Sequence, residues 1–174
     1  MKLFKRLMTA LLAAVLAAGM LAGCSGAPAA PNTPLPSDAE ALVLYQGISE
    51  TCTRYNVKTP VYAAELEPIA QEIAEAAVIH RYYTTQPSAA VIDKAKTDVS
   101  ALADGAEYLV YDLNPYDTAA KAPLSVTRMK NTIVQKGANR MGIVIVTLTN
   151  ADTKEEVKYE CTVYARFPDA AAQE

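Results

Sequence analysis

The spacing of apolar residues changes character at Asp104-Gly105. In the domain before that point they recur every three or four residues, as on helices that bury one face; directly after it they alternate, as on a strand. Ser37-Asp38-Ala39-Glu40 has the form of a capping box, with Glu three residues after Ser. Ala41, Tyr45, Ile48, Cys52 and Tyr55 then form one stripe of a first helix, which Asn56 and Thr59-Pro60 bring to an end. A second helix is predicted from about Ala64 to Tyr83, with Leu66, Ile69, Ala70, Ile73, Ala77 and His80 on one face. Pro68 is tolerable only in a first turn, so the regular part starts close to it. A third helix runs from Ser88 to Ala103 and is stopped by Asp104-Gly105.

Beyond Gly105, Glu107 to Leu113 alternates and is rich in Tyr and Val, which predicts a strand. Asn114-Pro115 turns the chain, and Pro123 confines a fourth helix to about Leu124–Gln135. Ile143 to Leu148 is apolar at every position but Thr147, the pattern of a central strand covered on both sides. After the turn at Asn150-Ala151-Asp152, a long last strand sets Val157, Tyr159, Cys161, Val163, Ala165 and Phe167 on one face. Helices followed by an antiparallel sheet with one doubly covered strand predict an α/β fold, a three-layer α/β/α sandwich with a small antiparallel sheet. The domain spans 37–168, residues 169–174 form a fraying Ala-rich tail, and no internal repeat is visible.

The N-terminus carries an address. Lys2, Lys5 and Arg6 precede an uncharged apolar run from Leu7 to Ala22, too short and wrongly flanked for a spanning helix but suited to a secretory signal. Leu21-Ala22-Gly23-Cys24 resembles a bacterial lipobox, which implies removal of residues 1–23 and lipidation of Cys24. The expected location is extracytoplasmic, lipid-anchored to the cell membrane, or to the outer membrane of a two-membrane cell. Residues 24–36, with Pro28, Pro31, Pro34 and Pro36 among small residues, read as a spacer that at ~3.1 Å per residue reaches roughly 35 Å. Removing the three leader cations takes the net charge from −3 to about −6. That surplus argues against nucleic-acid binding and against adhesion to anionic lipid, leaving the acyl chains as the membrane partner.

With Cys24 assigned to lipid, Cys52 and Cys161 remain, both on buried stripes. In an exported chain the pair reads as one disulfide, the alternative being two separate buried thiols. Their spacing suits neither zinc nor a redox pair, no Gly-rich phosphate loop is present, and no cluster of metal ligands or cofactor motif emerges, so no cofactor is expected. His80, the sole histidine, can be a general base, but its place on an apolar stripe suits packing or helix capping better. Tyrosine is unusually abundant, ten with no Trp. Tyr108, Tyr111 and Tyr116 cluster around the first strand and its following loop, where they suit a binding groove or the edge of the sheet.

The order of these segments resembles the CAP superfamily (cysteine-rich secretory proteins, antigen 5, pathogenesis-related 1). Ile48-Ser49-Glu50-Thr51-Cys52, then Asn56 to Pro60, is similar to the first helix and loop of bacterial members. Leu66, Ala70 and Ala74 match the next helix. Gly105-Ala106-Glu107-Tyr108 is similar to a Gly-Glu-Asn segment, Ser125-Val126-Thr127-Arg128 to a Ser-Pro-x-His-Arg motif, and Arg140 to Val144 to the start of the central strand. The resemblance covers about residues 40–167. It implies a cleft lined by two His and two acidic residues, sometimes holding a divalent metal. With Thr127 about where the motif histidine falls, this chain cannot build that site, and Glu107 is the one acidic cleft residue retained. The remnant cleft comprises Glu107, Tyr108, Tyr111, Tyr116, Thr127 and Arg128, with no catalytic or metal residue. The leading expectation is a non-enzymatic module binding an extracellular ligand or envelope protein. The alternatives are an envelope hydrolase using His80 and Glu107, and a structural docking component of the envelope.

Overall fold

The structure, a computed structural model, describes residues 34–77, 86–116 and 125–168. The leader, Cys24, most of the spacer, His80, residues 117–124 and the tail from residue 169 lie outside them. Helix α1 spans Ala39–Arg54. Its cap is Asp38, one residue later than the expected Ser37: the Asp38 carboxylate accepts from the Ala41 amide at 2.8 Å. That register moves Glu40 out of a capping box, and its carboxylate takes Lys158 Nζ at 2.8 Å instead. Ala41, Leu44, Tyr45, Ile48 and Cys52 are buried, whereas Tyr55, expected on the same stripe, is exposed. At the far end Asn56 adopts φ +53, and the Val57 amide closes onto the Cys52 carbonyl at 2.9 Å, a left-handed helix stop.

Strand β1, Val61–Tyr62, is too short to leave an alternating pattern in the sequence. A 3₁₀ turn, Ala64–Leu66, leads into helix α2, Glu67–Glu75, with Pro68 in its first turn as expected. The second helix is therefore shorter than the predicted Ala64–Tyr83. Helix α3 is Ala89–Leu102, and Gly105 at φ +75 makes the turn that follows. Strand β2 runs Glu107–Pro115, with a bulge that leaves Leu109 unpaired between Tyr108 and Val110. The predicted fourth helix is a single α turn, α4, Val126–Met129, continued by a π-helical stretch at Lys130–Gln135. Strands β3, Arg140–Thr149, and β4, Glu156–Arg166, make a hairpin. Its turn is held by the Asn150 side chain, which accepts from the amides of Asp152 and Thr153 at 2.9 Å each.

The sheet order is β1-β3-β4-β2. β4 pairs antiparallel with β2 and β3, but β1 pairs parallel with β3. The sheet is thus mixed and four-stranded, not the antiparallel one expected, and the class is α/β. Pairing period sorts the β3 and β4 side chains into two cores. Cys161, Val163 and Ala165 pack with Ile69, Ile73 and Val99 of α2 and α3; Met141, Ile143 and Tyr164 pack with Ile48 of α1, Met129 and Ile133. β3 contributes to both, as its doubly apolar sequence predicts. Among the described residues no helix is long and apolar enough to cross a membrane.

The same sorting places the two cysteines expected to form a disulfide in different cores. Cys52 and Cys161 are both buried, as predicted, but both are free thiols. Cys52 hangs from α1 in one core and Cys161 from β4 in the other. Burial pushes the Cys161 thiol up to about 12 and raises Cys52 as well, against a lowering hydrogen bond from Thr59. Both are therefore inert thiols at neutral pH. Unfolding without reductant in the presence of iodoacetamide should alkylate both residues, while native protein stays unlabelled at each. Peptide mapping reads the outcome.

One backbone approach fixes the 3₁₀ turn against the sheet. A Cβ placed on Gly142 would lie 2.4 Å from the Leu66 Cβ and 2.8 Å from its carbonyl carbon. Because the obstruction includes backbone, relief requires moving the turn. Gly142→Ala should cost about 2–3 kcal/mol by the usual penalty for overpacking, measured as a fall in the urea midpoint. Leu66 is itself fully buried, so Leu66→Ala should cost a comparable amount by leaving a cavity.

Candidate functional site

β2 is an edge strand, and an open cavity of about 440 Å³ runs beside it. Five consecutive residues, Val110 to Asn114, line it, together with Gln86 before α3 and Arg128 on α4. Consecutive strand residues point to opposite faces, so a cavity touching all five lies along the strand's outer edge. Gln86 and Arg128 form its other walls.

Asp112 and Arg128 anchor the polar part. Their carboxylate and guanidinium form an ion pair, with the Asp112 side chain 16% exposed and that of Arg128 41%. The Ser125 hydroxyl caps α4 by accepting from the Arg128 amide at 3.1 Å, which sets the single turn that presents Arg128. Burial raises the Asp112 carboxyl above its ordinary value, and Arg128 pulls it back down. Opposite in register, Asp112 faces Thr162 and Asn114 faces Glu160. The Asn114 amide donates to the Glu160 carboxylate at 3.4 Å. Glu160 is pushed up to about 7, chiefly by burial, with the nearby Asp112 charge adding to it and the Asn114 hydrogen bond opposing it. Neither acid stood out in the sequence. On an alternating strand each reads as an outward polar residue, and only the register places them diagonally across two strands.

The sequence-predicted cleft residues divide. Tyr111 and Arg128 line the cavity. Tyr108 and Tyr111 both pack against the core under α2 and α3, and burial raises both hydroxyls. Tyr116 follows the end of β2; its amide donates to the Lys158 carbonyl at 2.9 Å, and its hydroxyl is raised by burial first and then by Glu40. Thr127 is exposed on α4. Glu107 does not join them. It starts β2, pairs across the ladder with Arg166, and forms an ion pair with that residue, both side chains half exposed. The acid beside Arg128 is Asp112, five residues further along the strand. Among the described residues no group of three or more His, Cys, Asp or Glu is arranged to hold a metal ion.

Comparison of the chain with protein-family models, with curated proteins and with solved structures finds no match.

Glu160 makes the stability of the domain pH-dependent in a defined direction. Its folded value lies above the 4.5 of the exposed group, so between those values the folded state holds a proton that the unfolded chain has released. Stability is full below about 4.5 and falls as pH rises toward 7. The raised Asp112 carboxyl acts in the same sense. With solvent screening of a partly exposed group allowed for, the Glu160 contribution is about 1–2 kcal/mol. Glu160→Gln should flatten this part of the profile and stabilise the protein at pH 8 more than at pH 5, read from denaturant midpoints at the two values.

Proposed function

We propose that this protein is a lipid-anchored binding module outside the cytoplasmic membrane, and that it takes its ligand along the outer edge of β2. The supporting observation is the cavity itself: about 440 Å³, within the range of small-molecule sites, and lined by groups that both donate and accept hydrogen bonds. The Arg128 charge is matched within the groove by Asp112. The groove therefore offers directional hydrogen bonding with little unbalanced charge. Gln86 and Asn114 supply amides and Tyr111 an aromatic edge. This chemistry favours an uncharged ligand rich in hydroxyl and amide groups, such as a saccharide segment of an envelope polymer, over an ion.

The anchor rests on Leu21-Ala22-Gly23-Cys24 and the leader before it. The three-layer, CAP-like reading of the domain is supported by the order of the motifs and by helices contributing to both cores of the sheet. The cleft used is displaced from the one the family resemblance implies, because Glu107 is committed to Arg166. A purely docking role is not favoured over ligand binding, given a walled groove at the sheet edge.

Binding of purified envelope saccharides, followed by isothermal calorimetry, tests the site. Asn114→Ala combined with Tyr111→Ala should weaken affinity by about tenfold or more, the loss of one or two net hydrogen bonds and an aromatic contact. Glu107→Gln should bind as the parent does. If the double variant keeps full affinity while Glu107→Gln loses it, the groove is the wrong site. For the anchor, Cys24→Ala should abolish incorporation of labelled palmitate and release the protein from the membrane fraction.

A further inference from the structure

A second cavity, of about 380 Å³, opens at the other end of α1 from Asp38, where the loop after α1, strand β1 and the π-helical stretch meet. Its apolar lining includes Val57, Val61, Ile133 and Val134, the last of these 57% exposed. Two cations share it: Lys58, which is exposed, and Arg140, half-buried at the start of β3. Among the described residues no carboxylate lines it. Among the described residues neither cation has a salt-bridge partner. The Arg140 guanidinium is steadied by the Asn139 carbonyl at 3.3 Å and by the Phe167 ring, whose centroid is 5.8 Å away. It is thus oriented but not neutralised.

The surroundings sharpen the contrast. The acids that perturb one another are grouped elsewhere, with Asp38 acting on Glu67, and Asp112 on Glu160. In a chain of net negative charge, two cations with no acid beside them among the described lining residues make this cavity locally positive. The wall that carries Ile133 and Val134 has an uncommon geometry: Lys136 donates to the Asn131 carbonyl, five residues back, at 3.1 Å. Such π turns are rare and concentrate at functional positions.

We propose that this pocket binds a small organic oxyanion, its carboxylate or phosphate held between Lys58 and Arg140 and a compact apolar body resting on the four aliphatic residues. Arg140 provides a planar fork of donors suited to two oxygens, and Lys58 a mobile point charge. The site is separate from the β2 groove and does not depend on what the groove binds.

Amide chemical shifts of the purified protein, followed during titration with phenyl phosphate, benzoate and inorganic phosphate at low ionic strength, provide the test. Phenyl phosphate or benzoate should produce saturable shifts confined to residues 56–61 and 133–140. Inorganic phosphate, lacking the apolar body, should bind more weakly. Preference between the two aromatic probes identifies the anion class. Lys58→Gln, at an exposed position that leaves the fold intact, should reduce affinity by about tenfold, and raising the salt should weaken binding by screening. The proposal is overturned if none of the three probes gives saturable shifts, or if Lys58→Gln titrates like the parent.

Discussion

The β3–β4 ladder is the constraint from which the rest of the structure follows. It pairs without interruption from Arg140 with Ala165 to Thr149 with Glu156, and it carries a side chain to each face at alternate positions. Both faces must be covered, because β3 is apolar on both. Side chains of α1 and α4 pack into one of the two cores, and those of α2 and α3 into the other. β1 and β2 then occupy the two edges, where a two-residue strand and a proline-terminated strand are tolerated. Gly142 belongs to the same constraint, because the missing side chain on β3 is what allows the turn at Leu66 to seat on the sheet.

Both cavities lie toward the edges of the sheet. Beside β2, the outer edge of the sheet is walled by Gln86 and Arg128. At the opposite edge β1 is only two residues long, and the π-helical stretch leaves a basin over Val61 and Ile133. Their electrostatics differ in kind. The β2 groove has its charges matched internally, through Asp112 with Arg128. The β1 basin has two cations with no acid lining it among the described residues. Matched charges favour selection by hydrogen-bond geometry; unmatched ones favour selection by charge. The two cavities thus differ in chemistry and lie toward opposite edges of one sheet.

Much of the local structure was legible. The stop at Asn56, the turn at Asn150, the first-turn place of Pro68 and the burial of Cys52 and Cys161 all follow from residues a few positions apart. The Ser37 cap missed by one residue because both Ser37 and Asp38 can cap, and only the helix register chooses between them. The candidate site was legible only in part. Tyr111 and Arg128 were identified, but Asp112 and Glu160 were passed over because an outward acid on a strand carries no sign of what stands on the neighbouring strand.

The sequence by itself determined the kind and approximate place of the longer elements, most of their buried stripes, and that β3 is apolar on both faces, since these are set by periodicity within a segment. Tertiary structure alone decided to which side of the sheet each buried stripe turns. That choice keeps Cys52 and Cys161 apart as free thiols, commits Glu107 to Arg166, and sets Asp112 against Arg128. The physical reason is that periodicity reports burial without reporting the partner. Partners are fixed by strand order and register, which join residues dozens of positions apart.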